Sequence, residues 1–257
     1  MLRQLTSLPM LTLSVALGWG LSRPALAASP ETAPSDLVQA LDQVEAASDT
    51  ENLEAVMAFY APTFASADGF NRAQFEQALR EFWGQYSDLD YEIELVSWEA
   101  NPRGITAETV TRVKGTQVRS ERQLALTAEV RSRQRFESGQ IVYQEILSEQ
   151  SQLTSGTEPP TLSVMLPEQI KPGSTYAFDA IVQEPLGERS LMGTALDEGV
   201  TPEDFFAPRP LTLDVLNAGG LFKVGQAPEQ QDSRWVSAVV IRENGMTIHT
   251  RRLRVEQ

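Results

Sequence analysis

The chain predicts an α+β domain followed by an all-β domain, and three observations carry that reading. Apolar residues recur at helical spacing from Ser35 to Tyr86 and at every second position from Leu89 onward. Beyond residue 160, short apolar runs alternate with turn residues, about seven strands of the kind that build a β-sandwich. Between the two patterns lies a polar stretch, Gln150 to Pro160, carrying Gly156, Pro159 and Pro160. The division expected is therefore a domain over 35–150, a linker over 151–160 and a second domain over 161–257. With 257 residues, 41% of them hydrophobic, the chain can fill two ordinary cores.

The first 27 residues read as a secretory leader. Arg3 supplies the positive start, Leu5 to Leu21 carry no charge, and Ala25-Leu26-Ala27 forms a small-x-small cleavage pattern. Pro9, Gly18 and Gly20 break the apolar stretch, which is shorter than the roughly 20 apolar residues of a membrane span. An uncleaved anchor is the alternative. Export as a soluble protein, with no stable membrane insertion after cleavage, is the expectation. The formal charge is −14, and the leader holds two arginines and no acid, so cleavage leaves a still more acidic chain. Such a chain repels nucleic acid and anionic lipid. The absence of cysteine excludes disulfides, thiolate metal sites and cysteine nucleophiles. Arg131, Arg133 and Arg135, and likewise Arg251, Arg252 and Arg254, read as solvated strand surface.

Residues 28–34 read as a flexible start. Ser35 can cap a first helix carrying Leu37, Leu41 and Val44 on one stripe, with Asp36 favourable in its first turn. Ser48-x-x-Glu51 is a capping box for a second helix bearing Leu53, Val56, Met57 and Tyr60, ended by Pro62. Asn71 caps a third, whose Phe75, Leu79, Phe82, Trp83 and Tyr86 need a wide cover, most naturally a sheet. Strands are expected from Leu89, from Ile105 to Lys114, from Gln123 to Phe136 and from Ile141 to Leu147. Glu92 and Glu94 stand against the arginines on the solvent side. In the second half, Asn244-Gly245 between two alternating runs is a strong hairpin signal.

The order helix, helix, proline, turn, helix and four long strands resembles the superfamily of nuclear transport factor two, ketosteroid isomerase and the polyketide cyclases. Phe59-Tyr60-Ala61-Pro62, the Asp68-Gly69 turn, Asn71-Arg72-Ala73-Gln74-Phe75 and the strands after Leu89 carry the resemblance, over residues 35–150. It implies three helices packed in a curved antiparallel sheet that encloses a cone-shaped pocket. The second domain resembles an immunoglobulin-like sandwich without the usual disulfide. Together with a leader, the arrangement is similar to exported proteins of cyanobacteria, which would place it in the periplasm or the thylakoid lumen. The superfamily hosts enzymes, carotenoid-binding modules and interaction domains, so the site must decide.

Chemistry in the residues is sparse. The resemblance implies a tyrosine on the first helix for an isomerase, or histidines in the cone for a dehydratase. Asp36 to Ala47 has no tyrosine, and the one histidine, His249, falls in the second domain. Phosphate loops, nucleophile elbows and zinc-binding helices are absent as motifs; Gly219-Gly220-Leu221-Phe222-Lys223 lacks the Ser/Thr after its lysine and reads as a turn or bulge. No cofactor or metal is expected. Glu145, in a run with Ile141, Tyr143 and Leu147, is the weak catalytic candidate, either a raised-pKa acid or base or the partner of a neighbouring arginine. Tyr60, Trp83, Tyr86, Tyr91, Thr109 and Tyr143 are candidates to line a pocket, while Phe75, Phe82, Trp83 and Trp98 fit core or ligand cage. Thr201-Pro202-Glu203-Asp204 starts a short helix carrying Phe205 and Phe206, a plug for the domain junction or a contact for a partner. The leading expectation is a non-catalytic exported protein whose first domain binds a small apolar ligand or an envelope protein. An isomerase, dehydratase or hydrolase in the cone, and a scaffold with a filled cone, are the alternatives.

Overall fold

The computed structural model describes residues 27–119, 122–185, 190–207, 211–216 and 219–257. The expected leader, apart from its last alanine, lies outside the described residues. Ala28 is already tied into the fold: its N–H donates to the Trp98 carbonyl at 2.7 Å and its carbonyl accepts from the Trp98 N–H at 3.2 Å. Residues 28–34, expected as flexible, are thus held against a strand and include a 3₁₀ turn at Pro30–Thr32.

Helix α1 (Ser35–Asp49) turns Leu37 and Leu41 inward. It runs through Ser48, whose hydroxyl donates back to the Val44 carbonyl at 2.7 Å, so the expected capping box at Ser48 does not form. Glu51 takes a positive φ of 51°, and Asn52 caps α2 (Leu53–Ala58) by accepting from the Ala55 N–H at 3.1 Å. Tyr60 and Pro62, expected on and at the end of that helix, belong instead to strand β1 (Tyr60–Ser66). The short α2 cannot carry its stripe further, because the chain turns out at Phe59 to pair with the sheet. Helix α3 (Arg72–Trp83) starts as expected, with a reciprocal Asn71–Gln74 capping box. Arg72 donates to the carbonyls of Tyr60 (3.1 Å) and Met57 (2.9 Å), fastening α3 to the preceding turn.

Four long antiparallel strands follow: β2 (Ser87–Asn101), β3 (Gly104–Arg119), β4 (Arg122–Glu137) and β5 (Gln140–Gly156). The remainder are β6 (Leu162–Met165), β7 (Gln169–Ile170), β8 (Thr175–Val182), β9 (Met192–Gly199), β10 (Asp214–Val215), β11 (Gly220–Gln226), β12 (Asp232–Arg242) and β13 (Gly245–Val255). A short helix α4 (Pro202–Phe205) lies between β9 and β10. The hairpin signal at Asn244 is realised one residue early, with Arg242 facing Gly245 across Glu243 and Asn244.

The α+β cone followed by a separate sandwich is not what forms. The protein is mostly β, with one ten-stranded sheet in the order β10-β9-β12-β13-β5-β4-β3-β2, to which β1 and β7 attach, and a three-stranded sheet β11-β8-β6. The cause is β5. The stretch expected as a linker continues as strand to Gly156, pairing with β4 on one side and β13 on the other, Gln150↔Arg251 through Gly156↔Gly245. Its Ser, Gln and Thr residues look like linker composition but satisfy the ladder equally well, since strand pairing needs only backbone groups. At the end of the pairing Gly156 has φ +96°, and a Cβ there would meet the Asn244 carbonyl oxygen at 2.2 Å, so only glycine fits.

The shared sheet is covered on opposite faces at its two ends. Ala128 of β4 packs on the helical core with Val56, Phe64, Trp83 and Ile141. Following the register outward, Ala128 faces Ser151, Ser151 faces Thr250, and Thr250 faces Ser237. The second core uses the alternate residues of β12, Val236, Ala238 and Val240, against Phe178, Ala180 and Leu221 of the small sheet. Alternation along a strand makes these opposite sides. At the outer edge, β2 is blunted by α1: Asp49 accepts from the Tyr91 N–H (2.8 Å) and Glu45 from the Ile93 N–H (2.6 Å).

Candidate binding pocket at the junction of the two halves

The turn after β1 begins the site. Gly69, at φ +89°, lets the chain reverse, with the Ser66 hydroxyl accepting from the Phe70 N–H at 3.0 Å. That turn presents Asp68 and Phe70 toward the second half. On the sheet, Trp235 of β12 stands directly beside Arg252 of β13, and Glu149 of β5 beside Val130 of β4. From β9 the chain passes through Val200 into α4, where Thr201 caps Asp204, and delivers Phe205.

These residues form an open pocket of about 180 Å³, lined by Phe64, Phe70 and Phe75 of the first half, Phe205 and Trp235 of the second, and Ala78, Val130, Ile146 and Val200. The rings pack edge-on: Phe70 to Phe205 at 5.8 Å and 82°, Phe205 to Phe206 at 5.1 Å and 86°, with Trp235 6.0 Å from Phe205. Gln144 also lines the wall, and its Oε1 is buried without a partner among the described residues.

One side of the pocket is ionic. Arg252, its side chain 3% exposed, grips Asp68 with both terminal nitrogens (2.9 and 3.1 Å) and Glu149 at 3.1 Å. Glu149 also accepts from the Trp235 indole N–H at 2.9 Å. Burial works against the charge of Arg252, but Glu149 and Asp68 outweigh it and hold the guanidinium above its ordinary pKa. This cluster joins the turn of the first half to the last strand of the second. The sequence reading placed Arg252 on solvated surface. The signal it missed is register: alternation sends Arg252 inward, beside Trp235, while Arg251 faces the other side.

The residues singled out from the sequence disperse. Tyr60 is buried in the aromatic core beside Phe64 (5.0 Å) and Phe75 (4.7 Å), and burial raises its pKa. Trp83 donates to the Tyr91 hydroxyl at 2.8 Å, and burial, opposed by that bond, pushes Tyr91 up to about 12. Tyr86 packs on Phe82 at 4.8 Å, its pKa raised by burial. Thr109 is fully buried against the Ser132 hydroxyl at 3.1 Å. Tyr143 and Glu145 sit on the far side of the sheet. An irregularity in the pairing lies between Arg135 (opposite Tyr143) and Phe136 (opposite Ile141), so Ile141 faces the helices while Tyr143 and Glu145 join the arginines. There Glu145 accepts from Arg133 at 3.2 Å and Tyr143 lies under Arg135 at 5.4 Å. Phe205 lines the pocket and Phe206 stacks at its edge, both against Phe70. His249 lies in β13, and burial, with Arg251 nearby, lowers its pKa.

Residues 157–256 match the family model described as Domain of unknown function (DUF8623). No curated protein matches the chain. Among solved structures it is similar to Bd1075 of Bdellovibrio bacteriovorus, at 13% identity and a TM-score of 0.31, over 43% of this chain and 40% of that one. It is also similar to an LEH-like epoxide hydrolase of M. tuberculosis, at 14% identity and a TM-score of 0.30, over 43% of this chain and 80% of that one. The overlap spans two-fifths of the Bdellovibrio protein. These likenesses are too remote to transfer any chemistry.

Proposed function

We propose that this chain is an exported, non-catalytic binding protein whose junction pocket holds a small apolar ligand. One observation carries the reading: aromatic side chains from both halves converge on one pocket whose charged groups, Arg252, Asp68 and Glu149, already bind one another. Apolar walls with a few placed polar groups are the usual make-up of a ligand site. The enzyme alternative is less well supported. Asp68 commits both oxygens to Arg252, and Glu149 Oε2 accepts from both Arg252 and Trp235, so both pocket carboxylates are tied to fixed partners. Export belongs to the same proposal, supported by the leader-like composition of the first 27 residues. So does distant kinship of 35–150 to the nuclear transport factor two superfamily, supported by element order, and an immunoglobulin-like relationship of the second half, supported by the small sheet stacked on β12 and β13.

Native mass spectrometry of protein isolated from its own host tests the reading. A start at Ala28 and a non-covalent mass that leaves on denaturation are expected. A bare chain in every preparation, together with no binding of apolar probes, would favour the scaffold.

A further inference from the structure

We propose that the junction pocket selects an uncharged, small aromatic compound; this rests on the binding reading above and narrows it. Size comes first. A pocket of about 180 Å³ is close to the engineered apolar cavity of about 150 Å³ that takes up benzene, and well below the roughly 300–1,000 Å³ of sites for larger ligands. Ligands of three or more fused rings are too bulky to be held within it. Shape and electronics come next. Phe70, Phe205 and Trp235 meet edge to face or steeply tilted, so the walls offer both ring faces and ring edges. An aromatic guest complements such a wall through its quadrupole, which a saturated ring of equal volume lacks. Charge comes last. The cluster holds one positive and two negative charges, so it repels an anion, and a cation would have to compete for the carboxylates with Arg252, which already lies within 3.1 Å of both. A charged ligand would have to break that cluster in a buried place, at a high desolvation cost.

The test uses the full chain after leader removal and four probes: toluene, methylcyclohexane, benzoate and benzylammonium. Binding is followed by titration calorimetry and by the indole N–H signal of Trp235, assigned through Trp235→Phe. Toluene should bind saturably and shift that signal, with methylcyclohexane several-fold weaker and both ions at least tenfold weaker. Ala78→Leu, which fills the pocket from α3, should abolish toluene binding while the remaining spectrum stays dispersed. If neither toluene nor methylcyclohexane binds, the pocket is no ligand site and the binding reading itself falls. If methylcyclohexane matches toluene, or either ion binds as well, the pocket binds ligand but the aromatic, uncharged assignment is overturned. Toluene binding that leaves the Trp235 signal unmoved, or that survives in folded Ala78→Leu protein, places the ligand elsewhere and overturns the site.

Discussion

An arginine held between two carboxylates forms a trio both on the open face of the first half and at the junction. Arg112 lies between Glu94 (3.0 Å) and Glu129 (3.2 Å) with 40% of its side chain exposed. Arg252 lies between Asp68 (2.9 Å) and Glu149 (3.1 Å) with 3% exposed. Distances and residue types are nearly equal; surroundings are not. Around Arg112, water screens the charges and would replace any lost partner. Around Arg252 nothing replaces it, so the trio costs desolvation to form and more to break. The outer trio is one part of a charged ladder that continues through Glu108, Arg131, Arg133 and Glu145. The inner one is a polar fastening between two regions that also meet through the β5–β13 ladder and through phenylalanines.

The largest effect expected is at the inner trio. Arg252→Ala leaves Asp68 and Glu149 largely shielded from water without their cation and should cost about 3–5 kcal/mol in urea unfolding. Replacing all three charges together, with Arg252→Met, Asp68→Asn and Glu149→Gln, should recover much of that loss. If Arg252→Ala proved no more costly than Arg112→Ala, the contrast drawn from burial would not hold.

A half-buried histidine on the opposite face of the sheet sharpens the comparison from the other side. His249 faces Arg112, Lys114 and Glu129 across a shallow groove and has Arg251 beside it; its Nδ1 is buried without a partner among the described residues. Burial and Arg251 lower its pKa below the ordinary histidine value. The unfolded chain therefore binds a proton that the folded chain resists, and this contribution to stability is lost as pH falls through the ordinary value of about 6.5. His249→Gln should lose less stability than the parent between pH 7.5 and 5.5, by thermal unfolding. Equal losses would mean the imidazole is open to water. His249 is the chain's sole histidine, which keeps that comparison clean.

The smallest effect belongs to the outer ladder. Glu145→Gln removes a half-exposed pair with Arg133 and should change stability by about 0–1 kcal/mol and leave probe binding in the pocket unaltered. A loss of toluene binding in this variant would tie Glu145 to the site from the opposite face and undo the separation of the two trios.

Local signals determined a good deal without any tertiary information. The Asn71 cap and the stripe of Phe75, Leu79, Phe82 and Trp83 define α3, and period-two alternation locates β2 to β5 and β12 to β13, because caps and alternation are properties of adjacent backbone. Thr201-Pro202 marks α4 and flags the phenylalanines that reach the junction. Tertiary structure decided the rest. Gln150 to Gly156 reads as a linker until β13 supplies a second partner, and pairing across about 100 residues leaves no trace in composition. Which face Glu145 and Tyr143 take turns on one irregular pair near Phe136, since a one-residue slip inverts a strand. Arg252 is one more basic residue in a basic strand until Asp68, distant in the chain, comes within 2.9 Å of it. A buried ion pair has no local pattern, because only the folded chain removes the water that makes it matter.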